Sequence, residues 1–453
     1  MTQNTIIIGA GISGLSAAYY LEKAGEKGSI TILEAAKHPG GKVATTHEDG
    51  FIVEHAPDSF ITTKPFMLDL VSELGLSKDI IAPANSKFFI LKDGKLMDVP
   101  KGLNFMVATD EDAFMQSEMF TEAGKHRALE EVNIPAKKFD ADEDESFGDF
   151  VERRFGKEML ENYAEPLFAG IYSTPSYELS MKAAFPMFRN MEQKFGSITQ
   201  AINAIPVPEA APKNKNENLQ RSPFVSLKHG MQSIIDALLQ KLYKTKILTE
   251  AKVLSIHKNG DGYKVITDTH IYDAGRVIIT LPAAAAATLF ATLDSKIQNI
   301  LESFPSNSSR ILTLAFNKKD CELPDATGYV VAKGSDTLLS ACTWSSKKWD
   351  YRAPDAYHLI RCFFSKTELL KLSKDELIMI ANQELSKLVP VHGTPVKSWL
   401  SNYPNLLPQY KVGHLEKLKQ LNMLLEALPE IQLIGAYYDG IGMPDCVKQA
   451  QAL

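Results

Sequence analysis

The chain has 453 residues and a formal net charge of −6, and 45% of its residues are hydrophobic while 23% are charged. This length exceeds the size at which a single hydrophobic core stops growing, so we expect two or more domains. The composition excludes a disordered or fibrous chain. The negative charge disfavours nucleic acid as a partner, because binding to a phosphate backbone needs a clustered positive surface.

The cysteines are few and widely spaced. Cys321, Cys342, Cys362 and Cys446 form no Cys-x-x-Cys pair, so we predict no metal site, and free thiols in a reducing compartment. The first residues lack the features of a signal peptide, and no apolar run reaches the roughly 20 residues of a spanning helix. We therefore expect a cytoplasmic protein without a transmembrane segment. Peripheral contact with a membrane and the oligomeric state stay open.

The first elements of the chain predict a β-α-β unit. An apolar strand at residues 5–8 leads into a helix whose Leu15, Tyr19 and Leu21 share a face, and a second strand follows at 29–34. The turn between strand and helix is Gly9-Ala10-Gly11-Ile12-Ser13-Gly14. In such a turn the glycines allow the tight bend, the approach of a pyrophosphate and close helix–strand packing, while the helix N-terminus faces the phosphates.

Glu34 ends the second strand, where a carboxylate can accept hydrogen bonds from a ribose diol. Its charge argues against a 2′-phosphate. Gly40-Gly41-Lys42 follows shortly after, and a second glycine-rich segment occupies residues 435–445. A nicotinamide enzyme has no evident need for that distant segment, whereas a flavin ring must be held by backbone far from its pyrophosphate. The pattern therefore indicates a flavin dinucleotide.

The rest of the chain changes character several times. We predict mostly helical structure over residues 85–188, with a helix over 146–168, and a mobile linker at 205–223, where prolines and asparagines cannot build a core. A helix at 227–242, a hairpin turn at Asn259-Gly260-Asp261 and a strand at 276–281 follow.

These segments resemble the flavin amine oxidases, and the chain is most similar to the oxygen-dependent protoporphyrinogen and coproporphyrinogen III oxidases. The segments that carry the second resemblance occur in the family's order: Glu54-His55-Ala56-Pro57-Asp58-Ser59-Phe60, Glu165-Pro166-Leu167-Phe168-Ala169-Gly170-Ile171-Tyr172, Leu179-Ser180-Met181, Phe185-Pro186 and Leu407-Pro408-Gln409-Tyr410-Lys411-Val412-Gly413-His414. The resemblance covers nearly the whole chain.

The resemblance implies an α/β (α+β) fold with a Rossmann-like FAD-binding domain of the p-hydroxybenzoate-hydroxylase type, a mixed substrate domain and a helical insertion. On this basis we assign residues 1–84, 225–285 and 415–453 to the FAD-binding domain. Residues 85–204 are expected to form a helical region facing substrate or membrane, 205–224 a flexible linker, and 286–414 the substrate-binding domain.

The resemblance also implies FAD as cofactor, O2 as electron acceptor and H2O2 as by-product. Hydride would pass to N5 of the flavin, so we expect no catalytic side chain and no metal. The residues expected to bind the cofactor are Gly9, Ala10, Gly11, Ile12, Ser13, Gly14, Glu34, Ala35, Gly41, Lys42, Ala56, Pro57, Asp58, Ser59, Val253, Tyr403, Ile441, Gly442 and Met443. Gly170 is expected beside the substrate macrocycle, and Lys87 near a substrate propionate.

The chain departs from the family pattern at four places, one of which is His229, where a glycine is common. Ala56 stands where the family usually has glycine, Tyr403 where it has tryptophan, and Ser173-Thr174-Pro175 where it has Ala-Gly-Asp. None of these changes removes a group that the redox chemistry requires.

Three alternatives stay open at this stage. The sequence around Asp58 and Lys64 is more similar to that of the coproporphyrinogen III branch of the family. Coproporphyrinogen III is therefore the first substrate candidate and protoporphyrinogen IX the second. A flavin amine oxidase or carotenoid-desaturase-like enzyme would share the dinucleotide motifs but should lack the segments at 165–172 and 408–414. A flavin-binding protein without turnover would keep the fold.

Overall fold

The structure is a computed structural model that describes residues 4–140, 143–204 and 222–453. The described residues divide into two compact units. The first contains residues 4–83, 222–305 and 416–453, and the second contains 84–140, 143–204 and 306–415. The chain therefore leaves the first unit and returns to it twice.

The longest strands that the structure describes lie in the second unit, at residues 306–317, 357–364 and 397–408. In chain order the strands are β1 Thr5–Ile8, β2 Ile30–Leu33, β3 Thr45–Glu48, β4 Phe51–Glu54, β5 Phe60–Ile61, β6 Ile80–Ile81, β7 Phe89–Lys92, β8 Lys95–Asp98, β9 Leu103–Asn104, β10 Val107–Ala108, β11 Phe224–Leu227, β12 Thr245–Leu248, β13 Val253–Asn259, β14 Gly262–Thr267, β15 Ile271–Ala274, β16 Arg276–Ile279, β17 Ser306–Asn317, β18 Gly328–Val331, β19 Ala341–Trp344, β20 Tyr357–Phe364, β21 Lys397–Pro408 and β22 Ile431–Leu433.

The α-helices are concentrated between residues 111 and 204 and around the first sheet. They are α1 Ile12–Lys23, α2 Pro65–Glu73, α3 Glu111–Met115, α4 Glu122–Leu129, α5 Phe147–Phe155, α6 Lys157–Met159, α7 Glu165–Phe168, α8 Met181–Ala184, α9 Pro186–Phe195, α10 Ile198–Ala204, α11 Gln232–Lys241, α12 Ala283–Phe290, α13 Ser295–Glu302, α14 Ser345–Lys348, α15 Lys374–Ser386, α16 His414–Leu425 and α17 Met443–Gln451. A π-helix at Leu160–Ala164 joins α6 to α7.

The first unit is built on a parallel sheet with strand order β12-β2-β1-β16-β22. Thr5 of β1 is the register partner of Ile30 on one side and of Arg276 on the other. Parallel sheets are covered on both faces, which is why the central strands β2, β1 and β16 are apolar and buried over most of their length. The predicted β-α-β unit is confirmed, with its second strand trimmed to residues 30–33.

Alternate residues of these strands enter two separate cores. Ile7 and Ile32 pack with α1, α11 and α17 on one face, whereas Ile8 and Leu33 pack with α12, α13 and the sheet β13-β14-β15 on the other. This alternation follows from the pleat of a strand, which points successive side chains to opposite faces. The result is a doubly wound, layered α/β unit.

Two predicted boundaries change in the first unit, and one predicted turn is confirmed. The boundary at residue 285 falls inside α12, and both α12 and α13 belong to the first unit. The predicted helix at 227–242 is wrong at its start, because β11 occupies residues 224–227 and the helix begins at Gln232. The hairpin turn at residues 259–261 is confirmed: Gly260 has φ +61° between the antiparallel strands β13 and β14.

The second unit contains a sheet with strand order β21-β17-β20-β19-β18-β7-β8. Its longest strands, β17 and β21, pair antiparallel along most of their length. Helix α15 covers one face, with Leu377 and Leu385 in the same core as Leu312 and Ile360. A capping box between Ser373 and Glu376 fixes the start of this helix.

The helical prediction for residues 85–204 is wrong at its beginning. Residues 89–108 form the strands β7 to β10, and helices start only at Glu111. Asp93 and Gly94, with φ +48° and +74°, form the turn between β7 and β8. An Asp-Gly pair between apolar stretches is a typical hairpin signal, and the sheet of the second unit supplies the partner that holds this hairpin.

Helices do occupy most of residues 146–168, as predicted, but they are interrupted at Gly156, which has φ +91°. The linker predicted at 205–224 lies almost wholly outside the described residues. Among the helices that the structure describes, none is long and apolar enough to cross a membrane.

Candidate functional site

The glycine turn after β1 has a geometry that only glycine allows. Gly9 has φ +104°, and its N–H donates to the carbonyl of Leu33 at 2.8 Å. A Cβ on Gly14 would lie 2.0 Å from the carbonyl oxygen of Gly9. The helix can therefore approach the strand only because position 14 carries no side chain.

The N-terminus of α1 is suited to an anion. Gly11 is the N-cap and supplies no side-chain hydrogen bond, and the first turn of the helix contains no acidic residue. The first helical bond in this turn runs from the N–H of Leu15 to the carbonyl of Gly11, so the helix itself offers no acceptor to the N–H groups of residues 12–14. A Cβ built on Gly11 meets no protein atom within 4 Å. These features suit a pyrophosphate.

Glu34 connects the end of β2 to the glycine turn that follows β1. Its Oε2 accepts the N–H of Ala10 at 2.7 Å, and its Oε1 accepts the N–H of Ala36 at 2.8 Å. Ala35 lies exposed between them. A carboxylate offers about four acceptor positions, so this one keeps capacity for the hydroxyls of a ribose.

Val253 follows a segment whose backbone is hydrogen-bonded to that of Glu34. The N–H of Ala251 donates to the carbonyl of Glu34 at 2.8 Å, and β13 begins at Val253 two residues later. Val253 is partly buried against the core on that side of the sheet. Its predicted place in the cofactor site is compatible with this position.

The second glycine turn lies directly against the first. The N–H of Gly40 donates to the carbonyl of Ala10 at 2.8 Å, and a Cβ on Gly41 would lie 3.3 Å from the Cα of Gly11. Both Gly40 and Gly41 have positive φ, at +126° and +61°. The backbone around Gly11 is therefore enclosed by residues that carry no side chain.

Lys42 brings a positive charge to this turn. Burial lowers the pKa of its ammonium group, while Cys446 acts in the opposite direction. Burial also raises the pKa of the Cys446 thiol, which a hydrogen bond with Ser13 partly offsets. Lys42, Ser13 and Cys446 thus form one cluster at the start of α1, which the sequence motifs alone did not reveal.

Residues 56–59 connect β4 to β5 in the first unit. The hydroxyl of Ser226 donates to the carbonyl of Asp58 at 2.6 Å, and Ser59 donates to the Asp58 carboxylate at 2.9 Å. Ala56 and Pro57 precede them, and Ala56 does not adopt positive φ. An alanine in place of the family's glycine is therefore accommodated without strain at that residue.

The C-terminal segment returns to the nucleotide turn. Gly435, with φ +136°, follows β22, and a Cβ on it would lie 3.8 Å from the hydroxyl of Ser13. Ile441 and Gly442 immediately precede α17, and Met443 is its first residue. The N–H of Gly442 donates to the Asp445 carboxylate at 3.1 Å. Residues from both ends of the chain therefore meet in one site.

Two contacts in the first unit were missed by sequence reasoning. Thr280, at the end of β16, donates to the carbonyl of Ile8 at 2.9 Å and lies against both Gly9 and Gly14. Lys64 pairs with Asp445 across 2.5 Å. The strand-ending position before Pro282 was the available signal for Thr280, whereas no local pattern links Lys64 to Asp445.

The remaining predicted residues belong to the second unit. Tyr403 lies in β21 opposite Ser309 and is partly buried. Burial raises the pKa of its hydroxyl, while Arg361 and Ser401 act in the opposite direction. Tyr403 is thus an aromatic residue in a polar setting, and its predicted contact with the flavin stays a prediction.

Gly170 and Lys87 are less distinctive than predicted. Gly170 lies in a single 3₁₀ turn, Ala169–Tyr172, and a Cβ on it would meet no protein atom within 4 Å. Lys87 is exposed, pairs with Asp98 at 2.8 Å and lies over the ring of Phe89. Their roles toward a substrate stay predictions.

The second unit contains an aromatic cluster beside Gly170. Its centre is Phe185, whose ring centroid lies 4.9 Å from that of Phe147, 5.7 Å from Phe168 and 5.4 Å from Tyr172. Sequence reasoning noted Phe168, Tyr172 and Phe185 only as parts of family segments, and it placed Phe147 only within a predicted helix. In the structure they form an apolar wall next to a partly exposed turn, in which Ile171 is 59% exposed.

The residues of the first unit fit an FAD. The argument rests on the glycine cradle around Gly11, the uncapped start of α1, the spare acceptor capacity of Glu34 and the cation at Lys42. These groups match a pyrophosphate and a ribose.

Comparisons with known proteins agree with this geometry. Residues 12–452 match the family of flavin containing amine oxidoreductases. The chain is 32% identical to the coproporphyrinogen III oxidase of Bacillus subtilis (strain 168), over 99% of this chain and 97% of that relative. It is 26% identical to a chloroplastic protoporphyrinogen oxidase of Oryza sativa subsp. japonica, over 99% of this chain and 87% of that relative.

Solved structures agree in turn. A crystal structure from Exiguobacterium sp. 255-15, provisionally named a protoporphyrinogen oxidase, has a TM-score of 0.88 and 31% identity and covers 100% of this chain and 98% of that one. A putrescine oxidase with a TM-score of 0.69 shares 16% identity, covering 99% of this chain and 97% of that one, and shows the fold alone. The chain therefore belongs to the family of flavin containing amine oxidoreductases, and its cofactor is FAD.

Proposed function

We propose that the protein is an FAD-dependent porphyrinogen oxidase of haem biosynthesis that converts coproporphyrinogen III to coproporphyrin III. The observation that carries the proposal is the 32% identity, over 99% of the chain, to a relative named coproporphyrinogen III oxidase. The conversion removes six electrons and six protons from the macrocycle. With O2 as acceptor, three O2 are reduced to three H2O2, which balances the reaction.

Bound FAD supplies the acceptor for hydride from the macrocycle. The chain's own residues have other tasks. The turn at Gly9–Gly14 and the start of α1 hold the pyrophosphate, Glu34 binds the ribose, and Lys42 adds a positive charge beside them. No side chain is assigned a proton transfer, because a hydride acceptor at a fixed distance from a meso carbon is the main requirement.

The second unit offers aromatic side chains to a substrate that is built from four pyrrole rings. In this aromatic wall Phe168, Phe185 and Tyr172 are partly exposed, whereas Phe147 is fully buried and packs against Phe185. The partly exposed rings lie close together, and such aromatic surface favours contact with the pyrrole rings of a porphyrinogen. We assign this wall, with Gly170 beside it, to the binding of the porphyrinogen.

The choice between two porphyrinogens is part of the proposal. Relatives from Bacillus subtilis and Staphylococcus aureus, each 32% identical, are named coproporphyrinogen III oxidase, and this favours the substrate with four propionates. Protoporphyrinogen IX, with two, is the second candidate, because the rice relative and the Exiguobacterium structure carry its name.

The proposal is tested by incubating the FAD-loaded protein in air with each porphyrinogen. We expect porphyrin fluorescence to grow faster with coproporphyrinogen III, and H2O2 to accumulate at three molecules per porphyrin. Faster oxidation of protoporphyrinogen IX would reverse the substrate assignment. Oxidation of neither would leave an amine oxidase, tested with primary and secondary amines, or a flavoprotein without turnover.

We also propose a cytoplasmic location. Fractionation of cells that express the chain, followed by a high-salt wash of the membranes, separates a purely cytoplasmic protein from one attached at the membrane surface.

A further inference from the structure

An ion pair connects two distant parts of the first unit. The Nζ of Lys64 lies 2.5 Å from Oδ1 of Asp445, and the two residues are 381 positions apart in the chain. The Asp445 side chain is 10% exposed and that of Lys64 is 43% exposed. One partner is therefore fixed inside the fold while the other reaches it from the surface.

Asp445 contacts the backbone turn that precedes α17. Its Oδ2 accepts the N–H of Gly442 at 3.1 Å, and a Cβ on Gly440 would lie 2.3 Å from its carboxyl carbon. The carboxylate thus lies against the turn at residues 440–442. One of its oxygens holds this turn and the other holds Lys64.

Lys64 lies close in the chain to the second segment, residues 56–59. It is the N-cap residue of α2 and follows β5, which in turn follows residues 56–59. Helices α2 and α17 also pack through apolar side chains, including Met67, Leu70 and Val447. Apolar packing holds the helices together without direction, whereas an ion pair fixes one point of contact.

We infer that Lys64 and Asp445 are a positioning pair that sets the distance between residues 56–59 and residues 441–443 and so shapes the seat of the flavin ring. The inference rests on the proposed assignment of these two segments to the cofactor. Neither residue needs to touch FAD. Their effect is to hold two backbone segments from opposite ends of the chain in one arrangement.

The test compares FAD binding by the FAD-stripped variants Lys64→Met and Lys64→Arg. We expect Lys64→Met to raise the FAD dissociation constant by about 10-fold and to change the visible absorption band of the bound flavin. Lys64→Arg keeps the cation, so its dissociation constant should stay within about 2-fold of the wild type. Lys64 is largely at the surface, so both variants should fold, and their thermal unfolding without FAD checks this.

The same unit provides a matched control. Lys23 and Glu73 form an ion pair of 2.7 Å between α1 and α2, with side chains 52% and 30% exposed. Lys23→Met should leave both the dissociation constant and the flavin spectrum unchanged, since this pair does not join the two flavin segments.

A double-mutant cycle with Asp445→Asn completes the test. If the pair acts as a unit, Lys64→Met adds little once Asp445 is replaced. Additive effects, or a Lys64→Met protein with the wild-type dissociation constant and spectrum, would overturn the inference. A wild-type protein that binds no FAD at all would overturn the cofactor assignment. The control variant Lys23→Met would then also bind no FAD, so this outcome is distinguishable from a failure of the ion-pair inference alone.

Discussion

Gly14 packs so closely on Gly9 that a Cβ at position 14 would lie 2.0 Å from the Gly9 carbonyl oxygen, whereas a Cβ on Gly11, three residues earlier, would meet no protein atom within 4 Å. The two glycines of one motif therefore serve different purposes. Gly14 is needed for the fold, and we propose that Gly11 is needed for the ligand.

This difference predicts separate phenotypes. Gly11→Val should fold like the wild type but lose FAD, because the added side chain occupies the place of the pyrophosphate. Gly14→Ala should lose both stability and FAD. Thermal unfolding of the FAD-free proteins and flavin absorbance after gel filtration measure the two properties. Full flavin occupancy in a folded Gly11→Val protein would contradict the assignment of this turn.

We expect the FAD to be held without a covalent bond. The four cysteines are buried free thiols, and no attachment motif is present in the sequence. Acid denaturation should therefore release the flavin into the supernatant, and the denatured chain should have the mass of its sequence, 50.1 kDa. A chain that carries the additional mass of FAD after denaturation would rule this out.

Lys42 should strengthen the binding of FAD and lower the free energy of unfolding of the FAD-free protein. Because burial lowers the pKa of Lys42, its charge is destabilising in the folded state below the folded pKa, and this effect disappears as the pH rises from the folded pKa toward 10.5. Lys42→Met should raise the free energy of unfolding of the FAD-free protein by about 0.5–2 kcal/mol at neutral pH, with a smaller gain at alkaline pH.

The same substitution should weaken FAD binding by at least about 10-fold, since one charge-assisted contact to the phosphates is lost. Urea unfolding at several pH values and titration of the FAD-free protein with FAD measure the two effects. Lys37→Met, at an exposed lysine nearby, is the control and should change neither. A Lys42→Met protein less stable than the wild type at neutral pH would contradict the argument.

Lys87 provides a test of substrate charge. If it lies near a substrate propionate, Lys87→Ala should lower kcat/KM for coproporphyrinogen III by about 2- to 5-fold, as for an exposed ion pair, and less for protoporphyrinogen IX. Because Asp98 holds Lys87 in the structure, Asp98→Asn should act in the opposite direction. Lys95→Ala on the neighbouring strand is the control. Equal effects on both substrates would remove Lys87 from the site.

The helical part of the second unit depends on a buried charge network. Glu131 and Arg154 are fully buried and joined by a hydrogen bond of 2.7 Å, and Glu131 also accepts the N–H of Ile198 at 2.9 Å. Burial alone would raise the pKa of Glu131, but hydrogen bonds from Thr199, Ile198 and Arg154 outweigh it, so the pKa is lowered. Glu131→Gln should lower the free energy of unfolding by about 3 kcal/mol at neutral pH.

The pH dependence follows from the sign of this shift. A lowered folded pKa gives stability that is complete above the unfolded pKa, about 4.3, and is lost as the pH falls toward the folded value. The difference between wild type and Glu131→Gln should therefore shrink in acid. Glu118→Gln, at an exposed carboxylate of the same unit, is the control. A difference that stays constant from neutral to acid pH would contradict the prediction.

The sequence by itself determined the nucleotide-binding half of this protein. The strand at residues 5–8, the glycines at 9, 11 and 14 and the carboxylate at 34 are close in the chain. Their spacing alone therefore specifies a β-α-β turn and predicts a ribose acceptor at Glu34. The hairpin turn at Gly260 was readable for the same reason, because turn chemistry is local.

Only the tertiary structure decided which distant residues join that site. Thr280, Cys446 and the pair of Lys64 with Asp445 reach it through sheet order and helix packing, which no local pattern encodes. Tertiary context also overrode the helical pattern at residues 89–98, where the edge of a sheet supplied hydrogen-bond partners for two strands. Local propensity sets short elements, but long-range hydrogen bonding and burial select among them.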